Sequence, residues 1–248
     1  MNEALFIISI IFYLSGVLFA YKIFGKTGLY IWTAISAILS NIEALKMVDM
    51  FGLSVTLGNA LYASSFVVTD ILSENHGKES ANKAVNIGLF VTIIWVLATQ
   101  LILMFEPNSL DFINGSLIEM FGLMPRIAIA SIFTYAVVQK IDVILYHKVW
   151  QKTNKIFKNS NKGLWLRNNI STLTSQFLDT LTFTLIAFVG TMPFKELMLL
   201  VLTTYILKAV VSILDTPVIY IAKKMKNKET IIKSISDRLF NQENIFSI

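Results

Sequence analysis

Asp70, Glu74, Asp142, Asp179 and Lys208 each interrupt or close an apolar run that is otherwise long enough to cross a bilayer. An ionised side chain near the bilayer centre costs about 2.5–3.5 kcal/mol even on permissive insertion scales, so such residues face a bundle interior or a wet cavity rather than lipid. The five charges are spread over four separate runs. A chain built this way is constrained to fold as an all-α integral membrane protein whose helices enclose a polar site, which is the arrangement of a transporter. Composition agrees. With 55% hydrophobic and 15% charged residues and a mean hydropathy of +0.65, a soluble domain with one core is excluded.

A helix needs about 20 mostly apolar residues to span the hydrocarbon core. Seven runs meet that length, at about residues 4–24, 28–47, 55–74, 82–105, 124–147, 168–192 and 196–222, and predict a bundle of about seven transmembrane helices. The first has Glu3 ahead of it and its basic residues, Lys22 and Lys26, behind it. It therefore reads as an inserted helix with its N-terminus outside, not as a signal peptide. Within the pair 28–47 and 55–74, Gly52, Gly58 and Asn59 also admit a broken or re-entrant element. Residues 1–222 are expected to form a single transmembrane domain and 223–248 a basic cytoplasmic tail. In the tail, Ile231, Ile232, Ile235 and Leu239 share one helical face, as in a short amphipathic surface helix.

Basic residues set the expected sidedness. With the N-terminus outside, segments 22–27, 75–83, 148–167 and the C-terminal tail lie inside and hold 16 of the 21 Lys and Arg. The outside loop 106–119 holds Glu106, Asp111 and Glu119 with no Lys or Arg. This is the positive-inside pattern, N-terminus out and C-terminus cytoplasmic. Contact of the basic segments with anionic headgroups accounts for the net charge of +5 and argues against nucleic acid as a partner. Without Cys there is no disulfide, thiol nucleophile or thiolate metal site, and the two His, His76 and His147, are too far apart to suggest a metal cluster. No Walker-type phosphate loop is present, so coupling to ATP would need another subunit.

Polar residues line up on the later runs. Tyr135, Gln139, Asp142 and Tyr146 recur at i, i+4, i+7 and i+11, and Asn169, Thr172, Gln176 and Asp179 at i, i+3, i+7 and i+10, each on one helix face. Both stripes contain Gln-x-x-Asp. Tyr205, Lys208, Ser212 and Asp215 form a third stripe. Hydroxyl residues such as Ser171, Thr172, Ser175 and Ser212 suit helix–helix hydrogen bonding, worth on the order of 0.6–2 kcal/mol each. The deep carboxylates and amides of Gln139, Asp142, Gln176 and Asp179 suit a site instead. Lys208 either serves that site or neutralises Asp142 or Asp179, and Arg126 either snorkels outward or guards an outer vestibule. A carboxylate beside a side-chain amide, with aromatics nearby, matches a guanine-like edge: adjacent N–H donors for the carboxylate, a carbonyl for the amide, and flat faces for stacking. A proton relay or a cation site would use the same groups.

Several stretches together carry a resemblance. They are Ser40-Asn41-Ile42, the segment from Tyr62 to Gly77 containing Thr69-Asp70 and Glu74, and Arg126-Ile-Ala-Ile-Ala-Ser. They continue with Gln139-x-x-Asp142 and Tyr146-His147, the segment from Trp165 to Thr180 containing Asn168, Asn169 and Gln176-x-x-Asp179, Tyr205-x-x-Lys208, and Thr216-Pro217. In this order, over about residues 28–222, they resemble the queuosine precursor transporter family, also called the vitamin uptake transporter family. His76 stands where that family usually has Tyr. The resemblance implies a non-enzymatic importer of 7-deazaguanine bases, 7-cyano-7-deazaguanine or its aminomethyl relative, for queuosine synthesis in tRNA. It places the chain in the bacterial plasma (inner) membrane. It also implies a six-helix core similar to the substrate-binding subunits of energy-coupling-factor vitamin transporters, with span 4–24 as an added N-terminal helix. The stripes and matched stretches give the expected substrate-binding residues: Asn41, Tyr62, Asp70, Glu74, Arg126, Gln139, Asp142, Asn168, Asn169, Gln176, Asp179 and Lys208. No cofactor is expected. The expected partners are the base and the bilayer, with a homo-oligomer or an energising subunit left open. The other readings are an importer of another vitamin or purine-like base, and an intramembrane enzyme, which lacks any Gly-x-Ser-x-Gly or His/Asp metal motif here.

Overall fold

The computed structural model describes residues 1–122, 124–157, 163–190 and 193–243, without the side chains of 47, 53, 54, 56, 59, 124, 125, 127, 128, 157 and 227–243. The first element, α1 (Asn2–Glu43), consists of two arms joined at Gly25, which has φ 56° and ψ −139°. That backbone conformation costs glycine little and other residues much. The two arms fold back on each other. In a straight helix Gly16 and Trp32 would lie about 24 Å apart, yet a Cβ on Gly16 would come within 2.2 Å of the Trp32 ring. The Tyr13 hydroxyl likewise donates to Glu43, near the end of the second arm. Close packing at the bend requires Gly28, where a Cβ would meet the Ala20 carbonyl oxygen at 2.0 Å.

Residues Met47–Met50 (β1) and Leu53–Thr56 (β2) then pair as a short antiparallel hairpin, with Met47 opposite Thr56 and Met50 opposite Leu53. Its turn is Phe51-Gly52, both at positive φ (54° and 74°), as two-residue hairpin turns require. The hairpin joins two separate helices and docks on the N-terminus: the Asn2 amide donates to the Asp49 carbonyl (3.0 Å) and the Phe51 N–H to Glu3 (3.3 Å). The helices that follow are α2 (Asn59–His76), α3 (Lys78–Leu103), the short α4 (Asn114–Phe121), α5 (Met124–Phe157), α6 (Leu164–Phe188) and α7 (Phe194–Glu243). The two arms of α1 with α2, α3, α5, α6 and α7 make seven antiparallel passes, matching the seven apolar runs. One end of the bundle, the hairpin end, carries the β-hairpin, α4, the end of α6 and the start of α7. The other, the basic end, carries the Gly25 and Gly77 turns, the end of α5, the start of α6 and the basic stretch of α7. The helix of α7 runs on through Glu243. The amphipathic face expected at Ile231–Leu239 lies outside the described side chains.

Burial is organised for lipid rather than water. On the first arm of α1, Phe6, Ile10, Leu14, Val17 and Tyr21 face inward, while Ile7, Ile8, Ile11, Phe12 and Phe19 are exposed. Among the described residues four helices, α1, α3, α5 and α7, are long and apolar enough to cross a membrane by length and composition. The polar pass α2 occupies the centre, and the polar pass α6 turns its stripe inward with Trp165, Ile170 and Phe177 exposed on its other side. Helix α2 packs on α1, α3, α5 and α7, and α6 sits between α5 and α7. One face of α2 joins an apolar cluster with α1, through Val67, Val68, Ile71 and Leu72. Its other face turns polar residues toward α5, α6 and α7.

Candidate functional site

Between the second arm of α1 and helices α2, α3, α5, α6 and α7 lies a cavity of about 320 Å³ in the hairpin half of the bundle. Its rim includes Asn41, Ala44, Leu45, Gly58 and Phe188, and its walls include Ser36, Ser40, Thr134, Thr180, Phe183, Thr184 and Thr204. Tyr62, Ser65, Tyr135, Asp179 and Lys208 lie at its deep end. There the Asp179 carboxylate accepts from the Tyr62 hydroxyl at 2.8 Å through Oδ1 and from Lys208 Nζ at 2.6 Å through Oδ2. Lys208 Nζ also lies 5.1 Å from the centroid of the Tyr62 ring, and the Tyr62 and Tyr135 rings meet edge to face at 6.3 Å. The volume lies at the small end of ligand sites, and a few convergent polar groups among aromatic and apolar walls are the usual composition of one.

Below the cavity, buried polar side chains continue toward the basic end, from Asp179 to Arg167 along α6, about 18 Å by helical rise. They form successive levels. Gln139 donates to Ser65 at 2.9 Å. Deeper, Thr172 donates to Asp70 at 3.0 Å, and Asn168 donates to Asp215 at 3.2 Å and to Thr216 at 3.0 Å. The last level is ionic. Arg167 grips both oxygens of Glu74, with Nε at 2.8 Å, Tyr146 donates to Glu74 at 2.9 Å, and Lys223 pairs with the same carboxylate. Arg167 is fully buried and lies 4.6 Å from the Trp150 ring centroid. A guanidinium without water is tolerable there because a bidentate carboxylate and aromatic faces replace its hydration.

The expected site residues therefore fall into distinct places. Asn41, Tyr62, Asp179 and Lys208 line the cavity. Gln139, Asp142, Gln176 and Asp70 are buried beneath it. Asn168 and Asn169 tie α6 to Thr216 of α7, next to Pro217, which supplies no backbone donor. Glu74 belongs to the ionic level at the basic end. Arg126 stands apart at the hairpin end, exposed, donating to the Ile186 carbonyl (2.9 Å) and to that of Val189, where cationic donors suit the last carbonyls of a helix. Sequence reasoning missed the cavity hydroxyls Ser36, Ser40, Thr134, Thr180 and Thr184, and the ionic partners Arg167 and Lys223. Arg167 and Lys223 sit at the ends of their runs, where basic residues read as headgroup contacts; the hint in the sequence was the deep carboxylate of Glu74, which calls for a cationic partner without specifying it. His76, at the foot of α2, meets the Tyr21 hydroxyl at 3.1 Å, away from the cavity.

A family model of vitamin uptake transporters matches residues 56–222, which hold every helix around the cavity except α1. A protein of Bacillus subtilis (strain 168) named "Probable queuosine precursor transporter" is 38% identical over 224 residues, covering 90% of this chain and 96% of the relative. No solved structure matches the chain significantly.

Proposed function

The chain belongs to the vitamin uptake transporter family, and from that premise we propose that it imports queuosine precursors, 7-cyano-7-deazaguanine or 7-aminomethyl-7-deazaguanine, for modification of tRNA. The observation that carries this reading is the Asp179 carboxylate, 3% exposed, fixed between Tyr62 and Lys208 at the deep end of the cavity. Each carboxylate oxygen retains acceptor capacity beyond the one bond it already accepts. A deazaguanine edge presents the ring N–H and the 2-amino group to such an acceptor, while its 6-oxo group takes a proton donor such as the Lys208 ammonium. Tyr62, Tyr135, Phe183 and Phe188 offer flat faces for the ring. The named role of the Bacillus relative agrees with this ligand.

The protein acts as a carrier, not an enzyme, in the bacterial plasma membrane, with the hairpin end outside and the basic end cytoplasmic. The crowding of Lys and Arg into the segments of the basic end supports that orientation. The cavity then faces the outside, and the Glu74–Arg167–Lys223 level seals the cytoplasmic side. In the sealed state Asn41, Tyr62, Asp179 and Lys208 receive the base. Gln139, Asp142 and Gln176 lie one level further along the route.

Competition against uptake of labelled 7-cyano-7-deazaguanine tests the reading. A site built to hydrogen-bond a ligand's N–H and carbonyl rejects an analogue lacking them by roughly 10⁴-fold, far more than a methylene changes an apolar fit. Uptake is expected to be blocked by the aminomethyl form and little affected by adenine. Equal competition by adenine and 7-cyano-7-deazaguanine would refute the edge-reading site.

A further inference from the structure

The polar column carries more negative than positive groups. Five buried carboxyl groups, those of Asp70, Glu74, Asp142, Asp179 and Asp215, face three basic groups, those of Arg167, Lys208 and Lys223, among the described residues. Lys208 is engaged by Asp179, and Arg167 and Lys223 by Glu74. Asp70, Asp142 and Asp215 have no basic partner among the described residues; Asp70 and Asp215 are bonded by Thr172 and Asn168, one turn apart on α6, and Asp142 stands one turn from Gln139, which reaches Ser65 on the helix that carries Asp70.

Hydrogen bonding at this level is unbalanced in the same direction. Asp70 Oδ1 and Asp215 Oδ2 have no partner among the described residues, and Asp142 has none beyond the neighbouring Ser175 hydroxyl. Independently of the carboxyl groups, the Gln139 oxygen also lacks a donor, and fully buried Gln176 has no partner for either amide atom. Gln139 stands one turn from Asp142 on α5 and is held toward α2 by Ser65; Gln176 stands one turn from Thr172, which bonds Asp70. The unpartnered hydroxyls of Ser73, Ser175 and Ser212 can each donate one bond, but the carboxyl and amide oxygens left open outnumber them, which leaves a shortage of donors. A carboxyl proton supplies one directly, since the O–H of one acid is donated to the free oxygen of the next. A metal ion fits less well: among the described residues no three His, Asp or Glu side chains are grouped so as to hold one.

We propose that Asp70, Asp142 and Asp215 form a proton-binding site, and that one proton bound there from outside crosses with each imported base. This rests on the transport reading above. The proton comes from external water, forms one O–H bond on a carboxyl oxygen, and returns to cytoplasmic water when that bond breaks; nothing else is made or broken. Carboxylate chains in membrane carriers commonly serve as proton relays. The surrounding titratable and charged groups are Tyr62 and Glu74 on α2, Tyr135 and Tyr146 on α5, Arg167 and Asp179 on α6, and Lys208 and Lys223 on α7. The charged residues of α1 and α3 lie in the first turn and at the end of α1, around the Gly25 bend, and in the first two turns of α3.

The test uses the intact protein in liposomes with labelled 7-cyano-7-deazaguanine and the membrane potential clamped at zero. Without a gradient, the base is expected to equilibrate across the membrane, and failure at this step counts against the transport reading itself. With the interior one pH unit more alkaline, the internal concentration is expected to rise above the external one, by up to about tenfold for one proton per base. Equilibration without accumulation under that gradient overturns the proposal, as does accumulation driven by a sodium gradient at constant pH. Asp142→Asn, which holds the centre of the cluster in a neutral form, is expected to abolish accumulation. Accumulation at the wild-type level in that variant removes the cluster from the proton path. Should the variant fail to insert, the wild-type gradient experiment decides alone.

Discussion

At the scale of single residues, Asp179 and Lys208 show how a deep charge is held and what its removal does. Their side chains are 4% and 7% exposed and lie 2.6 Å apart. Removing one member of such a pair leaves the other buried and uncompensated, at about 3–5 kcal/mol. Asp179→Asn is therefore expected to lower the thermal midpoint of the purified protein, because it orphans the Lys208 ammonium. Adding Lys208→Met removes the orphan and is expected to recover most of the loss. Melting curves of both variants in detergent check this, and an Asp179→Asn protein as stable as the wild type would contradict the buried-pair account. The sequence marked both residues as deep charges, but which carboxylate Lys208 meets depends on the register of α6 against α7, which periodicity within each helix does not encode. The same limit hid Arg167 and Lys223, whose partner Glu74 is distant in sequence and adjacent only after packing.

Among the elements, the seven passes were legible because lipid-facing helices must be apolar over a fixed length. The division of labour between them was not. Helix α2 is covered by four other helices, whereas α6 turns its polar stripe inward and keeps Trp165, Ile170 and Phe177 exposed, an arrangement known only from packing. The β-hairpin was hidden as well. Its strands read as the ragged ends of two apolar runs, and its turn places Phe51, a non-glycine residue, at φ 54°. Because consecutive passes alternate in direction, the connections alternate between the two ends, and the placing of one at each end fixes the orientation of all. Asn108, between α3 and α4, and Lys155, near the end of α5, are both exposed and belong to opposite ends. The chain has no native Cys to confuse labelling. In intact cells an impermeant thiol reagent is expected to modify Asn108→Cys and to spare Lys155→Cys; the reverse pattern would invert the proposed orientation.

At the scale of the whole molecule, the fold divides along the membrane normal into an open half and a sealed half. The hairpin half holds a cavity ending at Asp179, and the basic half is closed by Arg167, Glu74 and Lys223. The class of molecule and the helices bearing the site could be read from charges within apolar runs. The division into cavity, buried polar level and ionic level could not, since residues of all three share the same helical stripes. The central claim is that a deazaguanine base enters this cavity and is held by the Asp179–Lys208 pair. Uptake of labelled 7-cyano-7-deazaguanine into liposomes by the Asp179→Asn/Lys208→Met protein, compared with wild type at equal reconstituted amounts, tests it most directly. The account predicts a folded double variant whose uptake falls to that of protein-free liposomes, whereas uptake at the wild-type rate would contradict it.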